Sequence, residues 1–231
     1  MNKSIHPGFE NLTSNQTLIK IKEKNLCRSI SFTDYLYGLI ATVIKRLERL
    51  FSRNKSLFLL YGMLFYGKVL QKELAEKNLP QGARVLHIGC GALPYTAYYL
   101  ARQGYSIDAV DSDQYAIAHA QHLIHSLGLE SQIRLINQNG MHTSSKDYDA
   151  IWISLHVTDK TKVLKKAVKQ ACPGTWIIYR EPRAWLSLIY NNIPPDPALD
   201  ALRQSSVNHC LGKKSVSIQL TERIPRYGRN D

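Results

Sequence analysis

Between residues 84 and 180 the apolar positions follow two alternating rhythms. Short, nearly solid runs (RVLHIG, SIDAVD, IRLINQ, YDAIWISL and TWIIYR) have the length and texture of strands buried on both faces. Between most of them, PYTAYYLARQG, DQYAIAHAQHLIHSLG and DKTKVLKKAVKQACPG repeat their apolar residues at helical spacing. Strand and helix in alternation, joined by short loops, predict a parallel sheet wrapped by helices. In the second helix Ile117, Ala120, Ile124 and Leu127 form the expected inner face. His119, His122 and His125 sweep round its outer side, so they read as solvent-facing residues, and no metal site is expected.

Residues 1–30 are polar and irregular, and from Ser31 to the boundary at Pro80 and Gly82 the pattern is helical. Leu36, Leu39, Ile40, Val43, Ile44, Leu47, Leu50 and Phe51 make one stripe, with Lys45, Arg46, Arg49 and Arg53 gathered near its end, where cations suit the helix dipole. A second helix is expected from about Ser56 to Lys77. A basic amphipathic helix has two readings, a membrane-surface element or a stripe packed on its own domain, and packing is the commoner outcome. The chain thus divides into a helical cap over residues 1–80 and an α/β domain over residues 81–231.

Charge sharpens this division. The net charge is +12, of which the first 80 residues carry +7 and residues 81–199 only +2. The basic excess therefore sits on what surrounds the sheet. No nucleic-acid module accompanies it, so no dedicated nucleic-acid partner is expected. Cys27, Cys90, Cys172 and Cys210 have no paired spacing, which suits free thiols in a reducing cytoplasm. The first residues, MNKSIHPGFENLTSNQ, lack the apolar core of a secretory leader, and no run approaches the ~18 apolar residues of a membrane span. A cytoplasmic location is the expectation.

The chemistry is concentrated in VLHIGCGALPYT. A strand breaks at Gly89 and Gly91, which permit close backbone approach of a ligand, and Pro94 stands where a dinucleotide site has a third glycine. Proline fits a helix start but deletes a donor that a pyrophosphate would use. An adenosine carrying an amino-acid tail fits better than a dinucleotide. Twenty residues after Gly91, Asp111 ends the second strand, where a carboxylate can accept both ribose hydroxyls. Asn139, after the third strand, can meet the adenine edge.

Residues 80–190 resemble the class I S-adenosylmethionine-dependent methyltransferase superfamily. The resemblance implies that Gly89 and Gly91 receive the methionine tail, Asp111 the ribose and Asn139 the adenine; His87 stands where many members carry a carboxylate. GCGALPYTAYYLA, which includes Pro94, Tyr95 and Thr96, is similar to the G-x-G-P-L-P-x-T segment of the nicotianamine synthase family. So are Asp159, Lys160, Pro173, Gly174, Arg180 and Tyr190 further on, and the pair Tyr66 and Glu73 upstream. Ala92 and Leu186 depart from that family's pattern.

Every carbon on the sulfonium is electrophilic, so three readings follow. The nicotianamine synthase resemblance implies transfer of the 3-amino-3-carboxypropyl group to an amine or amino acid, or its cyclisation to azetidine-2-carboxylate, releasing methylthioadenosine. Here Glu73 would be the base, oriented by Tyr66, with Tyr95 or Tyr179 facing the sulfonium. A small-molecule methyltransferase would instead use His156, which with Ser154 sits at the carboxyl end of the fourth strand. No Asn/Asp-Pro-Pro-Tyr stands there, which argues against methylation of DNA base amines. The third reading is a non-catalytic binding module, against which intact Gly89, Gly91 and Asp111 count.

Overall fold

The computed structural model describes residues 54–75, 77–188, 190, 192–209 and 212–221. The basic stripe of residues 31–51 lies outside them. The described chain begins with α1 (Lys55–Gly62), whose first turn is capped by the Asn54 side chain accepting from the Ser56 and Leu57 amides. The single helix expected over 56–77 is interrupted: a π turn at Met63–Gly67 separates α1 from α2 (Lys68–Leu74). Such turns recur at functional sites, and this one carries Tyr66. Gly62 is required there, because a Cβ on it would fall 1.7 Å from the Tyr95 ring.

The α/β region follows as β1 (Arg84–Ile88), α3 (Tyr95–Arg102), β2 (Ser106–Asp111), α4 (Gln114–Leu127), β3 (Ile133–Asn137), β4 (Ala150–Ile153), α5 (Lys160–Gln170) and β5 (Trp176–Pro182). These strands match the runs named above. Then come α6 (Pro197–Ala201), β6 (Arg203–Asn208) and β7 (Lys213–Gln219). The sheet has seven strands in the order β3-β2-β1-β4-β5-β7-β6, with β1 to β5 parallel and β7 antiparallel to both its neighbours. The sheet is thus mixed rather than wholly parallel.

Strand alternation sends successive residues to opposite layers. Leu86, Ile88, Ile151 and Ile153 pack with Val163, Leu164 and Ala167 of α5 on one face. Val85, Ala109, Trp152 and Ile178 pack with Ala97 and Leu100 of α3 and Ile124 of α4 on the other. The inner face of α4 is Ala120, Leu123 and Ile124; Ile117 and Leu127 are only half-buried. Phe58 of α1 and Leu70 of α2 meet Tyr95 and Leu123, which docks the first two helices beside α3 and α4. β1 has β2 on one side and β4 on the other, so the chain switches direction of winding at its carboxyl end, where sheets of this kind receive ligands.

Candidate active site

The loop leaving β1 is shaped for backbone approach. Gly89 and Gly91 have φ of +80° and +66°. A Cβ on Gly89 would lie 2.6 Å from Val157 Cγ2, whereas nothing lies within 4 Å of one on Gly91, so space is open above it. Pro94 caps α3, and beneath the loop His87 is 2% exposed. Its Nε2 lies 3.0 Å from Ser154 Oγ, while its Nδ1 is buried with no hydrogen-bond partner. Burial, reinforced by Arg180, pushes His87 down to about 3. A neutral imidazole therefore replaces the carboxylate that many related folds have there.

Asp111 ends β2 as expected and does two jobs. Its Oδ2 accepts from the Gly91 amide at 2.8 Å and its Oδ1 from the Asp113 amide at 3.0 Å. The carboxylate thus ties the loop to α4, with lone pairs left over for a ligand. Asn139 is exposed, its Oδ1 accepting from the Met141 amide at 2.8 Å, which leaves its NH2 group facing outward.

The expected catalytic pair lies on one face of the α1–α2 segment, because seven residues are nearly two helical turns. Glu73 is 0% exposed, and four donors from three strands converge on it. Arg180 of β5 donates from Nε to Oε1 at 3.3 Å and from Nη2 to Oε2 at 3.1 Å. Trp152 of β4 donates from Nε1 to Oε2 at 3.0 Å, and the Ser215 hydroxyl of β7 donates to Oε1. Burial alone would raise the Glu73 carboxyl, but Arg180, Ser215 and Trp152 outweigh it and hold the group below the usual carboxylate value.

Tyr66 was expected to orient Glu73; in the structure Arg180 touches both side chains and links them. Its ring lies over Arg180, 5.7 Å from Cζ, and its hydroxyl accepts from Lys213 Nζ at 3.0 Å. Burial would raise the Tyr66 phenol, but Lys213 and Arg180 bring it below its ordinary value. Arg180 also donates from Nη1 to Thr96 Oγ1 at 3.1 Å, so that hydroxyl serves the network as well as the loop.

Other expected residues lie around this centre without bonding to Glu73. Tyr95 is 7% exposed and packs in an aromatic cluster with Phe58, Tyr66 and Tyr98. Tyr179 is 0% exposed within the core beneath α5, which removes it as a face for the sulfonium. His156 is exposed, with its ring edge-on to Tyr190 at 4.9 Å. Lys160 is 7% exposed and donates from Nζ to the Arg180 carbonyl at 3.0 Å, which braces the strand end bearing Arg180.

Trp152, His209, Lys213 and Ser215 were not expected at the site. The last three come from the β6–β7 hairpin, and the signal for it was present: alternation in KKSVSIQ after the turn residue Gly212. Trp152 sat within a recognised strand, but an indole in an apolar run reads as core until its N–H partner is known.

The strand order, the glycine loop after β1 and the acid closing β2 together define a Rossmann-like, class I S-adenosylmethionine-dependent methyltransferase fold. Within that class the chain belongs to the nicotianamine synthase family, whose model, "Nicotianamine synthase protein", matches residues 64–223. The L-histidine 2-aminobutanoyltransferase of Yersinia pestis is 32% identical over 116 residues, 50% of this chain and 43% of the relative. This chain spans about half the length of the curated relatives it matches. MtNAS, solved in complex with MTA and tNA, superposes with a TM-score of 0.68 at 17% identity, covering 89% of this chain and 81% of that one. An RNA methyltransferase from Salinibacter ruber, in complex with S-adenosyl-L-homocysteine, gives 0.54 at 14% identity, over 69% and 95% of the two chains. At these identities the structural matches speak for the fold.

Proposed function

We propose that this chain transfers the 3-amino-3-carboxypropyl group of S-adenosylmethionine to the amine of an amino acid, releasing methylthioadenosine. The observation that carries the proposal is the cluster of buried Glu73, Arg180 and Trp152 with half-buried Tyr66, joined through Thr96 to a loop fit for an adenosine with an amino-acid tail. The relative from Yersinia pestis is named for aminobutanoyl transfer to L-histidine, and MtNAS has been seen with MTA and, as a mutant, with S-adenosylmethionine.

In this reading Gly89, Gly91, Pro94 and Ser154 cradle the amino-acid tail, Asp111 accepts the ribose hydroxyls, and Asn139 meets the adenine. The acceptor nitrogen attacks the γ-carbon in line. The N–C bond forms as the C–S bond breaks, the electron pair goes to sulfur, and a proton is lost from the attacking amine to Glu73. Catalysis is chiefly positioning, with the base adding to it. Arg180, fixed by Glu73 and Thr96, holds the charge pattern in place while the sulfonium is neutralised.

The product decides the matter. Incubation of the protein with S-adenosylmethionine and L-histidine or another amino acid should yield methylthioadenosine; S-adenosylhomocysteine in its place would overturn the proposal. Asp111→Ala should weaken binding of S-adenosylmethionine by about 1.5–3 kcal/mol, through lost hydrogen bonds to a charged group and a loosened loop. Calorimetric titration of the folded variant checks this, and unchanged affinity would remove Asp111 from the ribose role.

A further inference from the structure

A carboxylate offers about four lone-pair positions. At Glu73 all four meet a donor, two from Arg180, one from Trp152 and one from Ser215. A proton arriving from an acceptor amine finds room only if one donor withdraws. Trp152 and Arg180 are anchored in central strands, and Arg180 is further held by Thr96. The Ser215 hydroxyl needs only to turn about one single bond. Turned away from Glu73 it meets His209, whose Nε2 lies 2.6 Å from Ser215 Oγ and 3.6 Å from Glu73 Oε1.

All three groups are buried, with exposure of 0% at Glu73, 1% at Ser215 and 8% at His209, whose side chain keeps a 4% contact with solvent. The carboxylate is closed off, and the imidazole stands at the end of β6 where the hairpin turns. Arg180 from β5, Lys213 from β7 and Glu73 from α2 are the charged groups acting on that ring.

We propose that Ser215 and His209 are the proton exit of this site, carrying away through the hairpin the proton that Glu73 takes from the acceptor amine. The proposal rests on the reading of Glu73 as the base. The protonated Glu73 carboxyl donates to Ser215 Oγ while the Ser215 hydroxyl donates to Nε2 of His209. The ring then releases the proton on Nδ1. Each group ends with the charge it began with, and the imidazole has exchanged tautomers. In its new form Nε2–H donates back to Ser215, which again donates to the Glu73 carboxylate; a half-turn of the ring about its Cβ–Cγ bond then brings Nε2–H to water, where it gives up that proton as Nδ1 takes one, and the ring swings back for the next turnover. Burial, aided by Arg180 and Lys213 against the opposing pull of Glu73, brings His209 down to about 4, so the ring does not keep a proton at neutral pH.

Two substitutions separate a relay from a structural bond. In His209→Gln an amide N–H remains to donate to Ser215, but no proton can pass through it. In His209→Ala the ring is removed and space is left for added imidazole. Both variants should release methylthioadenosine about 10- to 100-fold more slowly than the natural protein, up to the lower limit of general acid–base effects, with KM for S-adenosylmethionine nearly unchanged. Added imidazole should restore His209→Ala in proportion to its free-base fraction and leave His209→Gln as it was.

A His209→Gln variant at full rate, or a slow His209→Ala that imidazole does not help, would overturn the relay. Glu73→Gln assayed alongside tells the two failures apart. A slow Glu73→Gln beside a fast His209→Gln refutes the exit alone, and a fast Glu73→Gln brings down the base and the exit together.

Discussion

Glu73→Gln should retain S-adenosylmethionine binding within about twofold and lose about 10²–10⁴-fold in the rate of methylthioadenosine release, the scale of a missing general base. Glutamine matches glutamate in shape but cannot take a proton. It also turns an NH2 group towards donors that expect oxygen, either Arg180 and Ser215 or Arg180 and Trp152. Some loss of stability is therefore expected with the loss of rate, so the assay is made on protein shown to be folded. His156→Ala serves as the contrast. His156 is exposed and packs against Tyr190 rather than joining the buried centre, so its removal should cost little. A methyl transfer that used His156 as base predicts the reverse pattern. Full activity in Glu73→Gln would end its assignment as base whatever group is transferred.

Arg180→Met should destabilise the fold by about 3–5 kcal/mol, because it strands the Glu73 charge in the interior. Arg180 and Glu73 have side-chain exposures of 5% and 0%, so water cannot replace the lost partner. Against a total stability of about 5–15 kcal/mol for a domain of this kind, that is enough to leave a large unfolded fraction. The double substitution Glu73→Leu with Arg180→Met should recover most of the loss, since a buried pair exchanged for apolar residues of similar size is close to neutral. Urea unfolding of the three proteins tests this. A double variant no more stable than Arg180→Met would mean that the loss came from packing or from the Thr96 bond rather than from the stranded charge.

Sequence by itself determined the framework and half of the site. The five parallel strands were legible because a strand buried on both faces needs an unbroken apolar run, and the helices because burying one face of a helix needs apolar residues at helical spacing. The loop proposed for the cofactor was legible for the same local reason: positive φ at Gly89 and Gly91 and an acid closing the next strand are written within about twenty residues. Tertiary structure decided the rest. The partners of Glu73 lie 79, 107 and 142 positions away, at Trp152, Arg180 and Ser215. No periodicity relates residues so far apart. They meet because β4, β5 and β7 lie side by side, and that adjacency exists only once β7 has inserted antiparallel beside β5. The break between α1 and α2 also belongs to the assembled protein. Its helical spacing reads as continuous, and the close seat of Gly62 against Tyr95 appears only when α1 packs on α3. Whether a buried glutamate is a charge at rest or an isolated misfit depends on donors brought by other strands, and that is a property of the fold rather than of the run of residues around it.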